Sequence, residues 1–341
     1  MSSVVNVAIH TSQFPENVRR DLLASLRTRR VNHKFHYDSV KQAQRWLALH
    51  QIYSPARNDA DCLAVYEKSF AAAAAQIAAP QVHVIGLGCG GGQKDTRLLK
   101  LIKTAGKEVF YTPCDVATAM VLVARQTALA VVAAENCFPL VCDLAAADDL
   151  PEIWEVCPAG EPDILGTATP CPSRECARIL TFFGMIPNFE PQMILPRLAA
   201  LVRPQDFLLF SANLAPGADY AAGVKQILSQ YDNAPTREWL LTFLLDLGVE
   251  RCDGELQFEI EADAASGLNC VAAGFHFLRP RRIEIEGESF DFATGESIRL
   301  FFSYRYTPDR VRVVLVRHGL EVREQWITRS AEEGVFLCRR K

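Results

Sequence analysis

The sequence predicts an α/β fold: a doubly wound, mostly parallel Rossmann-like sheet with an inserted α+β unit. Three observations carry that expectation. The apolar run at 82–85 breaks into the turn Gly86-Leu87-Gly88-Cys89-Gly90-Gly91-Gly92, and helical spacing starts at Lys94. Strand-like and helical patterns then alternate to residue 211, the pattern of a parallel sheet with crossover helices. After Asn213 the pattern changes to helices and then strands, before two last strand-like segments return the chain to the sheet.

Each element has its own reason. Residues 1–57 mix short helical patterns with polar breaks and read as a lid or substrate-facing layer; 59–79 have helical spacing and pack ahead of the first strand. The alanine run 71–75 lies inside that helix, where alanine costs least. Residues 82–85 read as a strand buried on both faces. Helix 96–104, strand 109–112, helix 117–134, strand 138–142, strand 179–183, helix 191–201 and strand 207–211 follow. Helices through Gln230 and Leu247 come next, then strands at 256–261, 268–278 and 283–285, which form the α+β unit. Residues 303–307 lead into a helix ending near Gly319, and 320–328 with 335–339 read as a closing antiparallel pair. The implied division is a cofactor-binding domain over 58–213, completed by 303–341, and a substrate-binding or lid domain of 1–57 with 214–302.

Composition excludes several classes. The 341 residues carry a net charge of −4 and are 49% hydrophobic, which points neither to a polyanion partner nor to a disordered tail. The basic clusters Arg27-x-Arg29-Arg30 and Arg279-x-Arg281-Arg282 are short and lack interleaved aromatics, so they read as solvated faces rather than nucleic-acid grooves. Eleven cysteines are spread along the chain, and an odd count leaves one unpaired, so a reducing cytoplasm is a simpler setting than a disulfide scaffold. Cys171 and Cys176 have no second pair at zinc-site spacing and the seven histidines are scattered, which argues against a metal. The N-terminus lacks an export pattern and residues 70–80 are too short to span a bilayer, so no membrane partner is expected.

The glycine turn is the chemical centre. Glycines let the backbone turn sharply and approach a ligand without a Cβ in the way, and the N–H groups at the following helix start face that ligand. Gly86-x-Gly88-x-x-Gly91 also matches the dinucleotide fingerprint. Two acids downstream separate the readings: Asp115 ends one strand after Tyr111-Thr112-Pro113-Cys114, and Asp143 ends the next after Val141-Cys142. One acid for ribose hydroxyls and one for an adenine amino group fit S-adenosylmethionine (SAM) better than a nicotinamide dinucleotide. The plainer alternative is that either acid is a helix N-cap.

Further segments extend the picture. Tyr37-Asp38-Ser39, Tyr53-Ser54-Pro55-Ala56-Arg57, the glycine loop running into Lys94-Asp95-Thr96-Arg97-Leu98-Leu99, Phe182-Phe183-Gly184-Met185-Ile186-Pro187-Asn188-Phe189, Tyr231-Asp232-Asn233-Ala234, Phe292-Ala293-Thr294-Gly295-Glu296 and Ser303-Tyr304-Arg305-Tyr306-Thr307 occur in that order. Together they resemble the signatures of the ergothioneine-pathway histidine Nα-methyltransferases and their amino-acid-methylating relatives. The resemblance covers most of the chain. It implies a class I methyltransferase sheet and SAM as cofactor, with Gly88, Gly90 and Lys94 at the methionine end, Asp115 on the ribose hydroxyls, and Asp143 with the Leu144 backbone on the adenine. It also implies that Asn188 and Tyr231 hold the α-amino-acid head group, that Tyr53 lies beside its nitrogen, and that Tyr37 and Ser303 face the substrate side chain; the amine attacks in its neutral form, so a nearby tyrosine such as Tyr53, as catalytic residue, or water receives its proton. On the residues alone, Asn188 also reads as a turn former, Tyr231 as a half-buried core aromatic and Ser303 as an ordinary strand residue.

The departures bear on substrate. Two residues before the serine, the histidine enzymes carry a carboxylate that binds the imidazole; this chain has Phe301, and Val271 falls where those enzymes place a methionine. Asp95 is an extra residue after the loop lysine, and Pro187 stands where a glycine precedes the asparagine. Without the acid, a buried imidazole N–H loses its partner at roughly 1–3 kcal/mol, so the pocket favours an apolar or aromatic side chain. A one-residue slip of the strand would instead turn Phe301 to the other face. The expected activity is methyl transfer from SAM to the α-amine of a free amino acid or small amine other than histidine. Other SAM chemistry (aminocarboxypropyl transfer or cyclisation), a nicotinamide oxidoreductase and a non-catalytic SAM-binding protein stay open on the sequence.

Overall fold

The structure, a computed structural model, describes residues 4–150 and 176–341; Cys171 lies outside the described residues. The chain begins the central sheet with β1 (Ala8–Ile9), β2 (Gln81–Leu87), β3 (Glu108–Asp115), β4 (Leu140–Val141), β5 (Ala177–Phe182) and β6 (Phe207–Asn213). It then forms β7 (Gly254–Asp263), β8 (Leu268–Phe277), β9 (Arg281–Ile285), β10 (Glu288–Phe292) and β11 (Ser297–Arg305), and ends on β12 (Leu320–Ile327) and β13 (Glu333–Arg340). The central order is β1-β4-β3-β2-β5-β6-β13-β12. Its strands are parallel from β1 to β6, and β13 and β12 close it antiparallel, the class I methyltransferase arrangement.

The strands read as near-continuous apolar runs because helices cover both faces. Alternate residues go to opposite sides: Ile85, Leu180, Phe182, Leu208 and Phe210 join one core, and Val84, Ile179, Phe207 and Leu209 the other. The helices are α1 (Pro15–Thr28), α2 (Val40–Tyr53), α3 (Pro55–Asn58), α4 (Ala60–Ala75), α5 (Gln93–Thr104), α6 (Thr118–Ala128), α7 (Pro191–Leu201), α8 (Tyr220–Tyr231), α9 (Ala234–Asp246) and α10 (Pro308–Arg317). Residues of α4 and α5 share the second core, and residues of α7 and α10 the first.

A third core joins segments far apart in sequence. Leu23, Leu26, Phe35 and Ala43 pack with Trp239 and Phe243 of α9 and with Phe275, Phe277 and Phe301 of the antiparallel sheet β7-β8-β11, while Met120 of α6 ties the group to the central domain. The backbone adds a seam: Val31 N donates to Arg299 O at 2.8 Å and Arg299 N to Arg29 O at 2.9 Å.

Three features differ from the sequence reading. Residues 8 and 9, placed by sequence in the lid layer, extend the central sheet as β1, a strand too short to leave a periodic pattern. The hairpin partner β10 and most of β11 are also unmarked by the strand segments read from sequence. In β11 the register shifts between Arg299 and Phe301, a bulge that re-aims the strand. Beyond it Phe301 pairs with Ala273 and Ser303 with Val271, which puts Phe301 and Ser303 two residues apart on one face. Among the described residues no helix is long and apolar enough to cross a membrane.

Candidate functional site

The carboxyl ends of β2, β3 and β4 and the glycine turn wall one end of a cavity of about 630 Å3, where open α/β sheets take their ligands. Gly88 and Gly90 hold φ of +59° and +51°, a region side chains rarely adopt. A Cβ on Gly88 would meet Met185 Cγ at 2.7 Å, and one on Gly90 would meet the Trp46 ring at 3.1 Å. Asp115 locks this turn: Gly90 N donates to its Oδ2 at 3.0 Å and Ala117 N to its Oδ1 at 3.1 Å. The acid therefore anchors the approach to α6 and the glycine turn together, and each oxygen has a second lone pair for a hydroxyl donor. Burial pushes its carboxyl above the usual range, while the surrounding backbone N–H groups pull it back.

Asp143 is less completely satisfied. Ala145 N donates to its Oδ1 at 2.8 Å, and its own N donates to Ser12 Oγ at 3.0 Å. Its Oδ2 is buried without a hydrogen bond from the described residues, and it is ion-paired with Lys34 Nζ at 3.4 Å, which also pairs with Asp21 at 2.6 Å. The ion pair leaves that oxygen a lone pair free, and the amino group of an adenine is a donor suited to it. Leu87 and Leu144 line the adjacent wall. The glycine cradle, the Asp115 carboxylate and this Asp143 oxygen fit an adenosine-bearing cofactor.

Lys94, in the first turn of α5, donates to Tyr66 Oη at 2.7 Å and lies 3.9 Å from Glu333. Burial lowers the pKa of its ammonium and Glu333 opposes the shift. The neighbouring Asp95 braces the turn from beneath, accepting from Tyr111 Oη and Thr181 Oγ1, each at 2.7 Å. Burial pushes its carboxyl up to about 6 against those two bonds.

The opposite end comes from the N-terminal segment, α8, α9 and β11. Tyr231 donates to Ser303 Oγ at 2.9 Å and accepts from the Arg305 guanidinium, whose Nε has no hydrogen-bond partner among the described residues. Phe301 packs its ring 5.8 Å from Tyr231 and 5.9 Å from Trp239. Asn188 Nδ2 donates to His33 Nε2 at 3.1 Å, and Tyr37 Oη lies 2.9 Å from the same nitrogen. Burial, with His36 nearby, pushes His33 down to about 3; burial and the Asp115 charge raise the Tyr37 phenol. Both are neutral at ordinary pH.

One cavity thus gathers Gly88, Gly90, Lys94, Asp115, Asp143 and Leu144 with Tyr37, Asn188, Tyr231, Phe301 and Ser303. Two residues expected from sequence do not line it. Tyr53, the last residue of α2, is 50% exposed, and the cavity side of that helix is supplied by the stacked rings of Trp46 and His50 and by the following Ser54. Val271 is fully buried across the strand pair from Ser303. Sequence reading missed His33, Lys34, Trp46 and Trp239, which line the cavity; the density of rings and basic groups at 33–37 was the available signal.

Residues 18–340 match the family model described as histidine-specific methyltransferase, SAM-dependent. No curated protein matches the chain. Similar solved structures include magnesium protoporphyrin IX methyltransferase from Synechocystis with bound S-adenosylhomocysteine (14% identity, 90% of this chain and 98% of that one, TM-score 0.46). A SAM-dependent methyltransferase from Clostridium acetobutylicum is similar at 11% identity over 87% of this chain and 98% of that one, with a TM-score of 0.43. The 1,6-didemethyltoxoflavin-N1-methyltransferase of Burkholderia thailandensis follows at 12%, with 88% of each chain covered and a TM-score of 0.39.

Proposed function

The chain belongs to the histidine-specific, SAM-dependent methyltransferase family, and on that premise we propose that it methylates the α-amine of a free amino acid or small amine other than histidine. The observation that carries this reading is the single cavity, which joins the glycine turn and its two acids to Asn188, Tyr231, Ser303 and the ring of Phe301. When bound, SAM supplies an electrophilic methyl carbon that an amine lone pair displaces from sulfur.

The chain contributes mainly position. Asp115 takes ribose hydroxyls, Asp143 Oδ2 the adenine amino group, and Lys94 faces the methionine end. Asn188, Tyr231 and Ser303 hold the substrate head group, while Tyr37, Trp46, Trp239 and Phe301 exclude water around the reacting nitrogen. Neither neutral His33 nor the raised Tyr37 phenol is a base for an ammonium at neutral pH. The substrate reacts as its free amine: the N–C bond forms as the C–S bond breaks, leaving SAH and a methylated ammonium that gives up its proton to solvent once it leaves the site. Phe301 stands among Tyr231, Trp239 and His33, a site that favours apolar and aromatic side chains.

The test is release of S-adenosylhomocysteine (SAH) from SAM with free amino acids, biogenic amines and their N-acetylated counterparts. Release with free amines, none with blocked ones, and histidine slower than aromatic or apolar amino acids is expected. Turnover of blocked amines, or histidine as the best substrate, overturns the reading.

A further inference from the structure

His33 stands at the junction of the two parts of the substrate end. Its ring lies 5.7 Å from Phe301 and 5.1 Å from Tyr37, while its Nε2 meets the Asn188 amide. A neutral imidazole offers one N–H and one lone pair. Here two groups converge on Nε2, Tyr37 Oη at 2.9 Å and Asn188 Nδ2 at 3.1 Å, and among the described residues Nδ1 has no hydrogen-bond partner. The ring is oversubscribed on one nitrogen and empty on the other. Burial keeps it neutral, so it acts through a hydrogen bond and not a charge.

We propose that His33 is a specificity-determining residue that hydrogen-bonds a polar ring group of an aromatic amino acid, a phenol hydroxyl or an indole N–H, and so selects tyrosine or tryptophan over phenylalanine. This rests on the amine-methylating reading above. When the Asn188 amide turns to the substrate head group, Nε2 keeps only the Tyr37 hydroxyl at 2.9 Å, and a substrate ring donor takes that lone pair as the hydroxyl rotates away. The surrounding rings of Phe301, Trp239 and Tyr37 suit an aromatic side chain. A site built to hydrogen-bond such a group rejects the analogue lacking it, because its own polar atom is then left unpaired.

The experiment is isothermal titration of L-tyrosine, L-tryptophan and L-phenylalanine into the full chain with SAH present, with methyl transfer from SAM measured in parallel. Tyrosine or tryptophan is expected to bind about tenfold or more tighter than phenylalanine. In His33→Phe that ratio falls to about one, and in His33→Gln, which keeps a donor and an acceptor, part of it survives. SAH affinity of each variant reports that it has folded. A wild-type ratio near one, a ratio unchanged in His33→Phe, or no binding of the three amino acids overturns the assignment. Selective binding that depends on His33 without a methylated amine supports the assignment and sinks the amine-methylating reading; methylation of other amines without binding of these three does the reverse.

Discussion

Replacing Tyr231 with Phe removes one oxygen and tests the relay from Arg305 through Tyr231 to Ser303. Arg305 is 4% exposed, its Nε is unpartnered, and the Tyr231 phenol accepts from its Nη2. Losing that acceptor strands a buried charged donor, worth about 1.5–3 kcal/mol, and Ser303 loses a donor worth about 1 kcal/mol. A cost near 3 kcal/mol follows. For 341 residues, an unfolding entropy of about 2.1 cal/mol/K per residue turns this into a fall in Tm of about 4 °C. Calorimetry of Tyr231→Phe, Arg305→Met and the double variant completes a cycle. Removing both partners is expected to recover much of the loss, with a coupling of about 1.5–3 kcal/mol. SAH affinity stays unchanged, because Tyr231 belongs to the other end of the cavity, while the KM for the amine substrate rises. A Tyr231→Phe cost below about 0.5 kcal/mol, or purely additive single variants, would refute the relay.

Asp143→Ala removes Oδ2 and should raise the SAH dissociation constant by about tenfold or more; an unchanged constant removes this acid from the adenine site. Phe301→Glu restores a carboxylate beside His33 and Trp239 and should improve histidine binding by about tenfold, read by titration; no gain would mean that the substrate ring lies elsewhere. Asp95 gives a pH signature. Its folded-state pKa is raised to about 6, so its contribution to stability is full below about 4 and is lost as pH rises through 6. From this group stability grows by about 2 kcal/mol between pH 7 and 4.5. In Asp95→Asn that increment disappears, and urea unfolding of both proteins at the two pH values checks it; equal pH dependence would contradict the buried brace.

The central domain was legible because its strands are buried on both faces, so 82–85 and 207–211 read as apolar runs whatever their neighbours. The glycine turn was legible for a local reason too, since positive φ at Gly88 and Gly90 narrows the residue choice. Asp115 and Asp143 stood out because each comes at the end of an apolar run. The two-residue β1 and the bulged β11 did not, since short or shifted strands break a period of two. Tyr53 depended on where α2 stops and which way its last turn faces, and Val271 on an ungapped count along strands whose register a bulge shifts. His33 and Lys34 lie in the 3-10 turn His33–His36, where no helical or strand period marks a buried side. Their roles emerge only from contacts with Asn188 and Asp143, more than a hundred residues away.

The most direct test of the amine-methylating reading is mass spectrometry of the reaction products after incubation with SAM and a pool of free amino acids and amines. A substrate heavier by whole methyl groups on its amine, formed together with S-adenosylhomocysteine, is the expected result; methylthioadenosine in its place, or methyl groups on any atom other than the amine, would contradict it.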